Sequence, residues 1–159
     1  MRLTPHFSLE EMTASDVAKE FKIKNEPNAR QIGNLVHLCA NTLEEIRFKI
    51  KKPVNVTSGY RCIALNSHPK IKGAKTSQHI AGEAADINVE GMTTQELFDF
   101  IVDNNIPFDQ IIQEFNRWVH ISFRTGRNRR SMLYAYKNSK GKTIYSKYPE
   151  KALAAWKAV

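Results

Sequence analysis

Three separated side chains, His79, Asp86 and His120, have the types to hold a metal ion. Two imidazoles and a carboxylate make a three-ligand set that leaves zinc's fourth position open for water, as a catalytic site requires. His79 and Asp86 fall within one stretch, Val56 to Val89, reading VTSGYRCIALNSHPKIKGAKTSQHIAGEAADINV, which also carries Ser58-Gly59-Tyr60-Arg61 and Ser77. His120 sits in a second island, Trp118-Val119-His120-Ile121-Ser122. A histidine seven positions before an aspartate is a loose pattern beside HExxH, so spacing alone leaves a metal site and ordinary strand residues evenly balanced. His6, His37 and His68 are read as hydrogen-bonded or exposed histidines without metal.

Alternation adds a geometric argument. In Ala85-Asp86-Ile87-Asn88-Val89 a strand puts Ala85, Ile87 and Val89 on one face and Asp86 on the other. The same rule sends Trp118, His120 and Ser122 away from Val119, Ile121 and Phe123. A turn at Gly82, among the small residues Ala81, Ala84 and Ala85, would let His79 converge on Asp86.

The elements that must position these residues are helices and short strands. Ser8 followed by Glu11 fits a capping box and predicts a helix from about Leu9 to Phe21. Ile32, Leu35, Val36, Cys39, Leu43 and Ile46 form one stripe, predicting a long amphipathic helix over Asn28 to Lys49. Pro53 precedes a β-branched run, Val54 to Thr57, and Thr93 with Glu96 signals a capped helix to about Asn104. Asp109 to Glu114 reads as a strand returning toward Trp118.

Length and composition fit one domain, 1–159: 42% hydrophobic residues supply a core, and there are no repeats or Pro/Gly-rich linkers. No run of about eighteen apolar residues occurs, and MRLTPHFSLEEM lacks the features of a signal peptide, so neither membrane spanning nor ordinary secretion is expected. Cys39 and Cys62 are too few for a disulfide scaffold and are read as two buried thiols, with a bridge left open. The net charge of +8 is uneven: residues 1–116 hold 13 basic and 15 acidic residues, residues 117–159 hold 11 basic residues and Glu150 alone. Such an end is either a solvated surface or a site for a polyanion, whether nucleic acid or an anionic wall polymer.

Ser58-Gly59-Tyr60-Arg61, Leu65-Asn66, Gly73, Ser77-Gln78-His79, Gly82, Ala84-Ala85-Asp86 and Trp118-Val119-His120, in this order over about residues 7–123, resemble the zinc D-Ala-D-Ala carboxypeptidase family and its phage and bacterial wall-peptidase relatives. The resemblance implies the hedgehog/DD-peptidase fold, an α+β class with a small antiparallel sheet carrying the zinc site and helices on one side, followed by a basic extension over 124–159. It implies zinc on His79, Asp86 and His120. Arg61 looks like the residue that binds the substrate's peptide or carboxylate oxygens, against a structural salt bridge. Ser77, on an extended segment, would face the same side as His79 and bind the substrate backbone, against a loop-capping hydroxyl. Tyr60 and Trp118 are read as cleft walls or as packing.

Many relatives place an acid three positions before the last histidine, where this chain has Arg117. The nearest acid is Glu114, and the turn decides its direction: a two-residue turn pairs Gln113 with His120 and turns Glu114 away, a three-residue turn pairs Glu114 with Trp118 on the metal side. The second is expected, making Glu114 the general base, with Asp109 and Glu83 in reserve. The resemblance thus implies hydrolysis of peptidoglycan stem peptides at D-Ala-D-Ala or another D-containing bond such as L-Ala-D-Glu. The expected setting is a monomeric phage endolysin or virion component, or a bacterial wall enzyme, made in the cytoplasm and acting at the wall after holin release, its basic end on an anionic polymer. A non-catalytic zinc-containing wall-binding module is the alternative that Arg117 keeps open. A nucleic-acid-binding protein, suggested by Arg127, Arg129, Arg130 and Tyr134, Tyr136 and Tyr145, ranks last because no nucleic-acid motif accompanies the charge.

Overall fold

A computed structural model describes residues 1–148. Helices α1 (Leu9–Thr13) and α2 (Asp16–Glu20) replace the single helix expected over Leu9 to Phe21. The reason is competition for the backbone. Thr13 Oγ1 donates back to the Leu9 carbonyl (2.8 Å), Ala14 turns extended, and Ser15 starts afresh as an N-cap accepting from Ala18 N (3.2 Å).

Asn28 and Gln31 form the capping box of α3 (Ala29–Leu38), which runs through a π-helical turn (Cys39–Leu43) into α4 (Glu44–Ile50). The long amphipathic helix is therefore present but not uniformly α. Its wide turn buries Cys39, Thr42 and Leu43 together, and Thr42 Oγ1 donates to the Pro107 carbonyl (2.7 Å). Beyond lie β1 (Asn55–Ser58), α5 (Ile63–Asn66), α6 (Gln78–Ala81), β2 (Ala84–Asn88) and α7 (Thr94–Asp103), the last with the expected Thr93–Glu96 capping box. Strands β3 (Gln110–Glu114), β4 (Trp118–Ser122), β5 (Ser131–Lys137) and β6 (Thr143–Lys147) complete the described chain.

The strands form one sheet in the order β1-β2-β4-β3-β5-β6. It is larger than the small antiparallel sheet expected and is mixed, because β5 runs parallel to β3. After β4 the chain crosses back to the start of β3, where Ser131 N donates to the Asp109 carbonyl (2.9 Å), and only a parallel strand can begin there. Residues 131–147, expected to belong to a basic extension, are thus part of the same sheet. Buried Tyr134 on β5 packs against Phe98 of α7, with ring centroids 5.1 Å apart. Residues 149–159 of that expected extension lie outside the described residues.

One face of the sheet is apolar. Ala85, Ile87, Ile111, Val119, Ile121 and Tyr134 pack there with Leu35, Leu38, Cys39, Leu97, Phe98 and Ile101 in a single core. Asp86, His120 and Glu114 take the opposite face, as strand alternation requires. The helices are not confined to one side, since α6 delivers His79 to that second face. Cys39 and Cys62 are free thiols; Cys39 is buried, which pushes its pKa up to about 12, whereas Cys62, expected to be buried, is only half-buried. Among the described residues no helix is long and apolar enough to cross a membrane.

Candidate metal centre

Asp86 and His120 are direct partners across β2 and β4, and the ladder places their side chains together. A bulge in β1 between Val56 and Ser58 sets Ser58 opposite Asp86, while Thr57 Oγ1 donates to the Asp86 carbonyl (3.2 Å). His79 comes from outside the sheet. Ser77 caps α6 by accepting from His79 N (3.3 Å), and Gly82 ends the helix at φ +73°, turning the chain straight into β2. A Cβ on Gly82 would lie 2.6 Å from the Gln31 carbonyl oxygen, so the turn also depends on its close approach to α3. Ser77 is thus a helix cap and not part of the extended segment expected.

Three donor atoms converge. His120 Nδ1 lies 3.1 Å from Asp86 Oδ1 and 3.2 Å from His79 Nε2, and His79 Nε2 lies 3.3 Å from Asp86 Oδ1. Tetrahedral zinc with bonds of about 2.0–2.2 Å needs its donors about 3.3–3.5 Å apart, so the set fits this ion with little adjustment. His79 Nδ1 lies 2.6 Å from the Gly59 carbonyl. A carbonyl only accepts, so Nδ1 carries the proton and Nε2 keeps its lone pair for the metal. Burial lowers the His79 pKa, and the two histidines, outweighing the burial that would raise it, hold the Asp86 carboxyl far below its usual range. Both shifts favour the protonation states that ligate. His79 is 1% exposed, whereas Asp86 and His120 keep 7% and 8%, so access is from their side.

Around this trio the structure forms the three-residue turn: Glu114 pairs with Trp118, and Phe115 and Asn116 take positive φ of 55° and 56°. Glu114 therefore shares the face of His120, and Trp118 Nε1 donates to its Oε2 (3.0 Å). Burial, then the Asp86 charge, raises the Glu114 pKa. Arg117 is exposed on the turn. Arg61 is held by its backbone, its N donating to the His79 carbonyl (3.2 Å), and its buried Nε has no hydrogen-bond partner among the described residues. Its guanidinium feels both Asp86 and Glu114. Tyr60 is 4% exposed within the core and is packing, not a cleft wall.

The two reserve carboxylates go elsewhere. Asp109 accepts from Arg129 Nη2 (2.6 Å), Arg129 N (2.9 Å) and Gln78 Nε2 (3.1 Å), and Glu83 faces Arg124 Nε (3.4 Å) and Gln78. Asp109 thereby ties α6 to the crossover. Sequence patterning missed the Gly59 carbonyl and Asn25. Asn25 accepts from Cys62 N (2.7 Å) and donates to the Tyr60 carbonyl (2.9 Å), fixing the segment that carries Arg61. A backbone acceptor leaves no side-chain signal, and one asparagine in a loop leaves a weak one.

A buried His-Asp-His set, open on one side and flanked by a carboxylate, defines a candidate mononuclear metal centre. Residues 5–122 match the family model described as Peptidase M15, and the chain belongs to this zinc D-Ala-D-Ala carboxypeptidase-like family of metallopeptidases. Peptidases of this family are zinc-dependent, and His79, Asp86 and His120 are the group that fits the ion here. No curated protein matches the chain.

Proposed function

We propose that this protein is a zinc peptidase hydrolysing D-residue-containing bonds of peptidoglycan stem peptides. The observation that carries the reading is that half-buried Glu114 shares one sheet face with the buried His79, Asp86 and His120 trio. Amide hydrolysis needs both electrophilic assistance and a proton acceptor, and this face offers both.

His79 through Nε2, Asp86 through Oδ1 and His120 through Nδ1 would hold the ion. When bound, zinc supplies Lewis acidity and lowers the pKa of water toward neutrality. Glu114 takes the proton of the attacking water and returns it to the leaving amine, and its raised pKa brings it nearer the working pH for both transfers. Trp118 holds one Glu114 oxygen, leaving the other for the water. Arg61, with an unsatisfied buried Nε, donates to a substrate carbonyl or carboxylate oxygen. Ser77 is left to steady the His79 helix.

The same reading takes the hedgehog/DD-peptidase fold, the D-Ala-D-Ala or L-Ala-D-Glu bond as target, and action at the bacterial wall as a monomeric endolysin or related lytic enzyme. The basic residues after Arg117 would hold it on anionic wall polymer. Binding to purified walls should then weaken as salt rises from about 0.1 to 1 M, and salt-independent binding would remove that role.

Digestion of purified peptidoglycan with and without a chelator, read by mass spectrometry, tests the whole reading. The expected result is release of cleaved stem peptides, abolished by chelation and restored by zinc; intact peptidoglycan in the presence of zinc would overturn it.

A further inference from the structure

Strands β5 and β6 lie beyond the family match, which ends at residue 122, yet they extend the metal-bearing face of the sheet. Two lateral rows of side chains cross that face. One runs Asp86, His120, Ile112, Leu133, Lys147, each residue the direct partner of the next. The other runs Trp118, Glu114, Ala135, Tyr145.

In the second row only the methyl group of buried Ala135 separates Tyr145 from Glu114. Strands about 4.8 Å apart put these two residues about 10 Å apart at the backbone, close enough for one substrate residue to lie over both. Burial, then the charge of Glu114, raises the Tyr145 hydroxyl above its ordinary pKa, consistent with that proximity. Tyr145 is nevertheless 56% exposed, so a broad amphipathic ring stands two strands from the base, on the same face, with one side free.

In the first row Ile112 and Leu133 make an apolar floor between the metal ligands and exposed Lys147. Three strand spacings separate His120 from Lys147, about 14 Å, and the lysine stem shortens this by several ångströms. An extended peptide advancing about 3.3 Å per residue covers the remainder in two or three residues. From residue 117 to residue 148 the chain holds nine basic and no acidic residues, so a negative group on the peptide meets no opposing carboxylate on the hairpin.

We infer that the β5–β6 hairpin is the substrate-binding wall of the cleft, Tyr145 contacting the bound peptide beside the scissile bond and Lys147 pairing with a substrate carboxylate two or three residues away. This rests on the peptidase reading above and adds to it a direction for the substrate, across β3, β5 and β6.

The test uses the zinc-loaded full chain and a synthetic stem peptide, L-Ala-γ-D-Glu-L-Lys-D-Ala-D-Ala, with both carboxylates free or with either the glutamate or the C-terminal carboxyl amidated. Lys147→Ala should raise KM about tenfold on the free peptide with kcat little changed, and the effect should vanish on one of the amidated versions. Tyr145→Ala should raise KM about tenfold on all three peptides, with zinc content and melting temperature as for wild type; Tyr145→Phe, which keeps the ring, should fall between. A Lys147→Ala effect that is absent, or equal on all three peptides, overturns the carboxylate contact. Tyr145→Phe and Tyr145→Ala variants that both match wild type overturn the wall. If the wild-type protein with zinc neither binds nor cleaves any of the peptides, the peptidase reading itself falls and the inference with it.

Discussion

Asp86 and His120 stand directly opposite each other on β2 and β4, with Asp86 Oδ1 3.1 Å from His120 Nδ1. Their separation is set by the backbone ladder, so two of the three candidate ligands are positioned before any ion arrives. His79 alone comes from a separate element, and it is fixed through the Gly59 carbonyl and the Ser77 cap. Preorganisation of this kind lets the bound ion bring little ordering cost.

Asp86→Asn keeps the side-chain volume and removes the charge. Zinc affinity should fall by more than the roughly 10–100-fold typical of losing an outer partner, because a ligand itself is altered. Competition against a chromophoric chelator measures this, with far-UV circular dichroism expected to stay native. Unchanged affinity would take Asp86 out of the metal set.

Glu114→Gln separates the base from the metal. The variant should keep one zinc per chain and lose about 10²- to 10⁴-fold in kcat on stem peptides. In the wild type the acid limb of the rate profile should lie above the ordinary glutamate value of about 4.3, because burial and the Asp86 charge raise this carboxyl and only its ionised form accepts a proton. A variant as active as wild type would move the base elsewhere.

A methyl group at residue 59 has no room. Its Cβ would sit 2.3 Å from the Met12 carbonyl oxygen, which also accepts from Tyr60 N (2.7 Å). Gly59→Ala must shift the carbonyl that holds His79 Nδ1, so it should cost about 1–3 kcal/mol of stability and also lower zinc affinity about 10- to 100-fold. Thermal melts and zinc titration on the same preparation check both. Loss of stability with undiminished zinc affinity would show that the Gly59 carbonyl does not orient His79.

Strand alternation made much of the site legible, since Ala85-Asp86-Ile87 and Val119-His120-Ile121 declare their faces by composition alone. The turn after Glu114 was a choice between two registers, and Phe115 and Asn116 in the left-handed region settle it. Helix α6 was not legible, because four residues carry no period and Ser77 reads equally as cap or strand. Strands β5 and β6 were hidden by their lysines and tyrosines, which look like a solvated basic tail until Tyr134 is seen packed on Phe98. The break between α1 and α2 rests on Thr13 and Ser15 competing for the backbone, a local effect that the capping signal at Ser8 does not reveal.

Asp109 gives the fold an acid-sensitive clamp. Its carboxylate is fully buried and accepts from Arg129 Nη2, Nε and N and from Gln78 Nε2, tying the crossover after β4 to the helix that bears His79. Burial acts to raise its pKa, but the Arg129 hydrogen bonds and charge outweigh burial and the net shift is downward. Ionised Asp109 therefore contributes stability above the unfolded-state value of about 3.9, and the contribution is lost as pH falls through the depressed folded value. Asp109→Asn should cost about 1–3 kcal/mol at pH 7, the lower part of this range being favoured because the Arg129 side chain is 50% exposed and screened by solvent. The gap between wild type and variant should narrow as denaturation is repeated from pH 6 down to about pH 3, and Asp86, common to both, cancels from the difference. A gap that stays constant across this range would mean that the Asp109 charge contributes nothing and that the clamp acts through shape alone.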